Sequence, residues 1–250
     1  ALDYLKRTVS ENWALGHFNF AQAEALRAIA GAAANLKTPV FVGTSEGESR
    51  HLGLKQAVYL VKAFREEFGI PIWLNADHTK TFEGVKAAVD AGYDAILADF
   101  SAKPFEENLK LTKQSVEYAK SKNSDIIVEG EIGLLKGESK IQKEKIVVKP
   151  EDLANPEQAR QFIEEKKVDL LATAVGNVHG IILEGEESLD FNLIKAIKNS
   201  VGGVFLVLHG ASGITSENLK KAIEAGINQI HINTEIRVAF ANSIRKTCSD

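Results

Sequence analysis

Residues 70–100 read IPIWLNADHTKTFEGVKAAVDAGYDAILADF, and this stretch decides the fold. Ile70 to Asp77 and Asp94 to Phe100 are short, near-continuous apolar runs. Strands of that kind are buried on both faces, as in a parallel sheet covered by helices. Between them, Thr81 to Ala91 spaces its apolar residues three and four apart, the period of an amphipathic helix. Ala91-Gly92 then ends the helical pattern, where glycine supplies the left-handed stop. The unit is strand, helix, parallel strand.

The same unit recurs in both directions. Trp13 to Phe20, Pro39 to Ser45, Asp125 to Gly133, Val168 to Val175, Gly203 to His209 and Gln229 to Thr234 complete a set of eight strand segments. Ala21 to Leu36, Leu52 to Phe68, Pro104 to Ser121, Pro156 to Lys166, Phe191 to Asn199 and Ser216 to Ala225 carry the helical spacing between them. Ala225-Gly226 repeats the helix stop. Eight alternating units favour closure into an α/β architecture, the (β/α)8 TIM barrel, over an open sheet. The 250 residues match one such barrel, so a single domain over residues 1–250 is expected. The longest irregular piece, Leu134 to Asn155, is rich in lysine and glutamate. It suits either a mobile cover over a site or a solvated surface excursion.

Composition narrows the function classes. Hydrophobic residues at 44% and charged ones at 26% describe a soluble globular chain with a sizeable core. A net charge of -4 gives no reason to expect nucleic acid as a partner, although small anions remain compatible. The single cysteine, Cys248, forms no internal disulfide and suits a reducing compartment. No apolar run reaches a membrane span, and the first residues lack a signal-peptide pattern, so cytoplasmic residence without a membrane partner is expected.

In a barrel of this kind the active site forms where strands end and their following loops begin. The polar residues here sit at those ends: Asp77-His78, Asp99, Glu129-Gly130-Glu131, Gly176-Asn177-Val178-His179-Gly180, His209-Gly210 and His231-Ile232-Asn233-Thr234. Three of the six histidines, His78, His179 and His209, can meet at one mouth. Three neutral imidazoles hold a tetrahedral divalent metal with one open position, which Lewis-acid catalysis requires. His17 and His51 lack this context and are read as structural or surface residues. Gly180 and the run His209-Gly210-Ala211-Ser212-Gly213 expose backbone N–H groups, and Asn233-Thr234 opens the last helix in N-cap style. Such ends bind phosphate, and they serve equally as ordinary turns and caps.

At these residues the chain resembles the class II, metal-dependent fructose-bisphosphate and tagatose-bisphosphate aldolases. The similarity runs through Gly16-His17-Phe18-Asn19, Asp77-His78, Asp99-Phe100-Ser101, Val128-Glu129-Gly130-Glu131-Ile132-Gly133, Gly176-Asn177-Val178-His179-Gly180, Leu208-His209-Gly210-Ala211-Ser212-Gly213 and Asn233-Thr234-Glu235. The resemblance implies catalytic zinc, or another divalent transition metal, on His78, His179 and His209, with Asp99 and Glu131 at a secondary metal position. It implies Asp77 as the acid/base at the C4 hydroxyl and Glu138 as a second acid/base, with Ser139 an alternative for that alignment column. Gly180, Gly210, Ser212, Asn233 and Thr234 would bind the phosphate of dihydroxyacetone phosphate beside Na+ or K+, and Asn19, Ser45 and His231 would join the substrate contacts. A homodimer or larger homo-oligomer is implied as well.

Two departures stand out. His231 replaces the family's usual asparagine and Gln229 a common lysine. The chain ends at Asp250, without the C-terminal extension whose arginines hold the second phosphate in many relatives; Arg237 and Arg245 are candidates to substitute, although an exposed arginine on a terminal helix is more often just solvated. The expected reaction is zinc-dependent, reversible cleavage of a ketose 1,6-bisphosphate, fructose 1,6-bisphosphate preferred, to dihydroxyacetone phosphate and glyceraldehyde 3-phosphate. The alternatives are tagatose bisphosphate or another phosphorylated ketose, and a non-catalytic barrel that binds sugar phosphate.

Overall fold

A computed structural model of the chain describes residues 1–144, 146–166, 168–183 and 189–249. Eight parallel strands close on themselves: β1 (Leu15–Asn19), β2 (Val40–Ser45), β3 (Ile72–Thr79), β4 (Ala95–Ala98), β5 (Ile127–Ile132), β7 (Leu170–Thr173), β9 (Phe205–Leu208) and β10 (Ile227–Ile232). Six lie inside an expected segment, and two, β3 and β10, overrun theirs by two residues at one end. Around the closed ring they run β1-β10-β9-β7-β5-β4-β3-β2. Helices α2 (Ala23–Asn35), α4 (Leu54–Phe68), α5 (Phe82–Ala91), α6 (Phe105–Lys122), α7 (Pro156–Lys166), α8 (Phe191–Val201), α9 (Ser216–Ala225) and α10 (Thr234–Cys248) follow the strands. The architecture is the (β/α)8 barrel. Every residue of β4, β5, β7 and β9 is buried, which is why these segments read as unbroken rather than alternating.

The barrel interior is layered. Its floor is apolar: Leu15, Phe41, Ala95, Ile127, Leu170 and Phe205 meet Leu5 of helix α1 (Leu2–Glu11), which stoppers the N-terminal end. Full burial of Leu5 is worth about 1.5–3 kcal/mol. No element was expected before Trp13. Above that floor the interior turns polar toward the C-terminal ends of the strands.

Three local expectations are corrected. Leu52 to Phe68 is not one helix: α3 (Glu46–Leu52) precedes α4, and Gly53, at φ 93, separates them. A capping box between Ser45 and Glu48 starts α3, and His51 lies in its last turn. The Leu134 to Asn155 piece is only partly irregular, because β6 (Gly137–Gln142) pairs in parallel with β8 (His179–Ile182) beside the mouth. Asn233 occupies the N-cap position of α10 yet makes no side-chain cap, since its amide is drawn to other partners. Among the described residues, no helix is long and apolar enough to cross a membrane.

Candidate metal centre and active site

Asp77 and His78 are consecutive, and plain strand alternation would send them to opposite faces. The β3–β4 register shifts between Ala76 and Thr79, and His78 adopts φ 48. Both side chains therefore line one cavity of about 530 Å³ at the barrel mouth. A non-glycine residue in the left-handed region costs roughly 1–3 kcal/mol and recurs at functional sites.

The three expected histidines come together there. Ring centroids of His78 and His209 lie 4.6 Å apart and those of His78 and His179 4.8 Å apart, while His179 and His209 stand 6.4 Å apart. Behind two of the rings sits a carboxylate. His78 Nδ1 is 2.8 Å from Asp99 Oδ2 and 3.4 Å from Glu131 Oε2, and His209 Nε2 is 2.8 Å from Glu129 Oε1. Such pairing fixes ring orientation and is the usual support behind a metal ligand. The opposite nitrogens converge on Asp77 Oδ1, with His78 Nε2 and His209 Nδ1 each 4.0 Å from it. His78 Nε2 and Asp77 Oδ1 are buried without a hydrogen-bond partner.

The charges say what would satisfy them. Asp77, Asp99, Glu129 and Glu131 are all buried around these imidazoles. Burial, and next the charge of Asp77, pushes Glu129 well above the ordinary carboxylate range; burial and Asp99 do the same to Glu131. Burial opposes ionisation of Asp77 and Asp99 too, but His78 and the neighbouring donors hold both well below that range. Burial drives His179 and His209 down to about 3, so both are neutral donors at neutral pH. His78 alone rises, to about 10, because Asp77, Asp99 and Glu131 outweigh its burial. Four buried carboxyl groups around one cationic ring form a site short of positive charge, and a divalent cation supplies it. Nitrogen donors with carboxylates behind them suit a transition metal. The residues present fit the group.

The other expected positions divide. Asn19 Nδ2 donates to Asp77 Oδ2 at 2.8 Å and to Glu48 Oε2 at 3.0 Å, so its amide is engaged within the protein. Ser45, Gly180, Gly210, Ser212, His231, Asn233 and Thr234 all border the cavity. Gly210, at φ 64, leaves no room for a side chain, since a Cβ would stand 2.1 Å from the Val178 carbonyl oxygen. Ser212 Oγ accepts from Glu235 N, and the Gly213 amide donates to Glu235 Oε1 at 2.7 Å, so Gly213 serves the fold. Glu138 borders the cavity from the exposed rim on β6, paired with Lys140 at 2.6 Å; Ser139 beside it reaches Asn233. Neither Arg237 nor Arg245 borders the cavity: Arg237 donates to the Ser139 carbonyl and Arg245 to Asn242. The cations bordering it are Arg50, Lys80 and Lys103, near the ends of β2, β3 and β4.

Sequence reasoning gave no site role to three residues. Glu48 accepts from Asn19, from the Ser45 amide and from Asn233, tying three strand ends together; its signal was the Ser-x-x-Glu capping pattern. Glu129 supports His209, and its signal was the two-residue offset from Glu131, which puts both on the inner face of β5. His17 is fully buried beneath the cavity, stacked on His231 at 3.6 Å, so its structural reading holds while a surface position does not.

Fold and mouth together place the chain among (β/α)8 barrels whose mouth gathers nitrogen and carboxylate donors able to hold a divalent cation. A family model described as "Fructose-bisphosphate aldolase class-II" matches residues 1–250, and the chain belongs to that family of metal-dependent aldehyde-lyases. It is 36% identical over 247 residues to a fructose-bisphosphate aldolase of Geobacillus stearothermophilus, covering 98% of this chain and 83% of that one. A fructose-bisphosphate aldolase of Mycoplasma pneumoniae is 38% identical over 245 residues, covering 97% and 82%. Among solved structures, the YdjI aldolase from Escherichia coli K12 superposes with a TM-score of 0.84 at 30% identity, covering 98% of this chain and 85% of that one.

Proposed function

We propose that this aldolase reversibly cleaves fructose 1,6-bisphosphate to dihydroxyacetone phosphate and glyceraldehyde 3-phosphate, with zinc held by His78, His179 and His209. The observation that carries the reading is Asp77: its Oδ2 is held by Asn19, while Oδ1 is unpartnered and aimed among the imidazoles. When bound, the cation supplies Lewis-acid stabilisation of the negative charge that carbon–carbon cleavage leaves on the ketone fragment. Asp77 Oδ1 accepts the C4 hydroxyl proton, the C4–O bond becomes a carbonyl, and the C3–C4 electron pair stays with the ketone fragment. Glu138, on the rim strand β6, returns a proton to C3. Asp99 and Glu131 behind His78 offer the cation a secondary position.

Gly180, Gly210, Ser212, Asn233 and Thr234 take the ketone-side phosphate, with Na+ or K+ beside it; Ser45 and His231 touch the sugar. Lys80 and Lys103, after β3 and β4, lie across the barrel from Gly210, Ser212, Asn233 and Thr234, because β3 and β4 are diametrically opposite β9 and β10 in the closed strand order, and Arg50 borders the same cavity after β2. That opposition suits a substrate with an anion at each end and favours a bisphosphate over a monophosphate. Cytoplasmic residence and a single domain go with this reading. A homo-oligomer does too: α10 buries only Thr234, and its Ile236 and Phe240 border an apolar groove with α2.

Coupled-enzyme assays with fructose 1,6-bisphosphate, tagatose 1,6-bisphosphate and fructose 1-phosphate, each with and without chelator, test the proposal. Cleavage of the first, abolished by chelation and restored by zinc, is expected. Turnover that survives complete metal removal sinks it; preference for another sugar moves the substrate assignment and leaves the chemistry.

A further inference from the structure

The floor of the cavity holds a second pair of imidazoles. His17 and His231 are direct partners in the β1–β10 register, so both enter the barrel at one height. Their rings lie parallel, 3° apart in plane, with centroids 3.6 Å apart. Together with Asp77 they present ligand atoms within 4.8 Å of one another. They are nonetheless not a chelating pair: imidazole lone pairs lie in the ring plane, and one cation cannot lie in two parallel planes.

What the stack does achieve is orientation. His17 is held by Asn75, whose Nδ2 lies 3.2 Å from His17 Nε2. Gly43 gives it room, since a Cβ there would stand 2.3 Å from His17 Cε1. His231 rests on this fixed plate, with its ring 4.0 Å from that of His209 and its Nδ1 3.7 Å from Asp77 Oδ1. Both His231 nitrogens are buried without a protein partner, and the side chain borders the cavity. A buried polar atom left unpaired is costly unless a ligand completes it.

We propose that His17 is a positioning residue: its flat ring fixes the plane of His231, so that His231 meets a hydroxyl or oxyanion of the substrate's ketone fragment beside Asp77. This rests on the aldolase reading above. The plate acts through shape, so a flat ring of any polarity serves and a branched aliphatic side chain of similar bulk does not. A misplacement of about 1 Å at a reacting centre costs on the order of 100-fold in rate.

The test compares H17F with H17L in the zinc-loaded protein, with folding checked by circular dichroism. The readouts are kcat and KM for fructose 1,6-bisphosphate, zinc affinity by competition with a chromophoric chelator, and histidine side-chain 15N spectra. H17F is expected to keep kcat within about threefold of wild type and H17L to lose about 10- to 100-fold. Zinc affinity should stay within about threefold in both, and the His231 resonances should broaden only in H17L. Equal kcat in the two variants, or zinc affinity falling in step with kcat, overturns the proposal. Should the wild-type chain cleave no ketose phosphate, the aldolase reading fails instead; unchanged His231 resonances in H17L would then overturn the plate on its own.

Discussion

Replacing Glu129 with glutamine isolates what a carboxylate behind a ligand histidine contributes. Glu129 is 1% exposed, and its Oε1 lies 2.8 Å from His209 Nε2. In the metal-free site, burial and the nearby Asp77 keep this carboxyl protonated above the ordinary range, so glutamine resembles it in shape and charge. A bound divalent cation reverses that balance by favouring the ionised form, which then accepts the Nε2–H bond and makes Nδ1 a better donor. The substitution should therefore leave metal-free stability nearly untouched and weaken the metal complex. Losing such a partner lowers metal affinity about 10- to 100-fold, or about 1.4–2.7 kcal/mol. Chelator competition measures the affinity, and thermal melts of metal-free protein give the control, with a change under about 2 °C expected, since roughly 1 kcal/mol moves the melting point of a chain this size by about 2–4 °C. Affinity within twofold of wild type would refute the reasoning; so would an equal loss of stability in metal-free protein.

Asp77→Asn should lower kcat by about 10²- to 10⁴-fold, the range for a lost acid/base group, with zinc affinity changed far less; steady-state kinetics on metal-saturated protein decide it. Gly210→Ala sets a Cβ 2.1 Å from the Val178 carbonyl oxygen at positive φ, so about 2–4 kcal/mol of stability should disappear together with zinc binding, as urea denaturation and metal titration would show. Removing both Arg50 and Lys80 should raise KM for fructose 1,6-bisphosphate about tenfold while leaving KM for fructose 1-phosphate unchanged, and a parallel rise in both would place the second anion elsewhere. The Tyr93 hydroxyl, buried and 2.7 Å from Thr44 Oγ1, is pushed up to about 12 by that burial. Because the folded value exceeds the unfolded one, near 10, its stabilisation is complete below pH 10 and fades as pH rises through 12, roughly 3 kcal/mol in all. Phenolate absorbance of wild type against Y93F should show one tyrosine titrating two units late.

The fold was legible because barrel strands such as Ala95–Ala98 and Phe205–Leu208 are buried apolar runs, each followed by a helix of clear period. The histidines were legible because strand ends on one face of a barrel share one mouth, so chain position alone predicted the meeting of His78, His179 and His209. Glu48 went unremarked and Glu129, noted at a strand end, was given no role, because their importance is a matter of contact: each carboxylate becomes informative only once its partner, Asn19 or His209, is seen across the barrel. Helix α1 left a weak trace, since only Leu5 and Thr8 of its ten residues are buried. Arg237, a candidate only from its place after the last strand, gives its guanidinium to the Ser139 carbonyl.

The small sheet of β6 and β8 joins two parts of the machinery that sit 41 residues apart in sequence. Gly137, next to the rim acid Glu138, is in register with His179, and Lys136 accepts the His179 amide at 2.7 Å. A displacement of that ribbon would carry the proposed metal ligand His179 and the proposed acid Glu138 together.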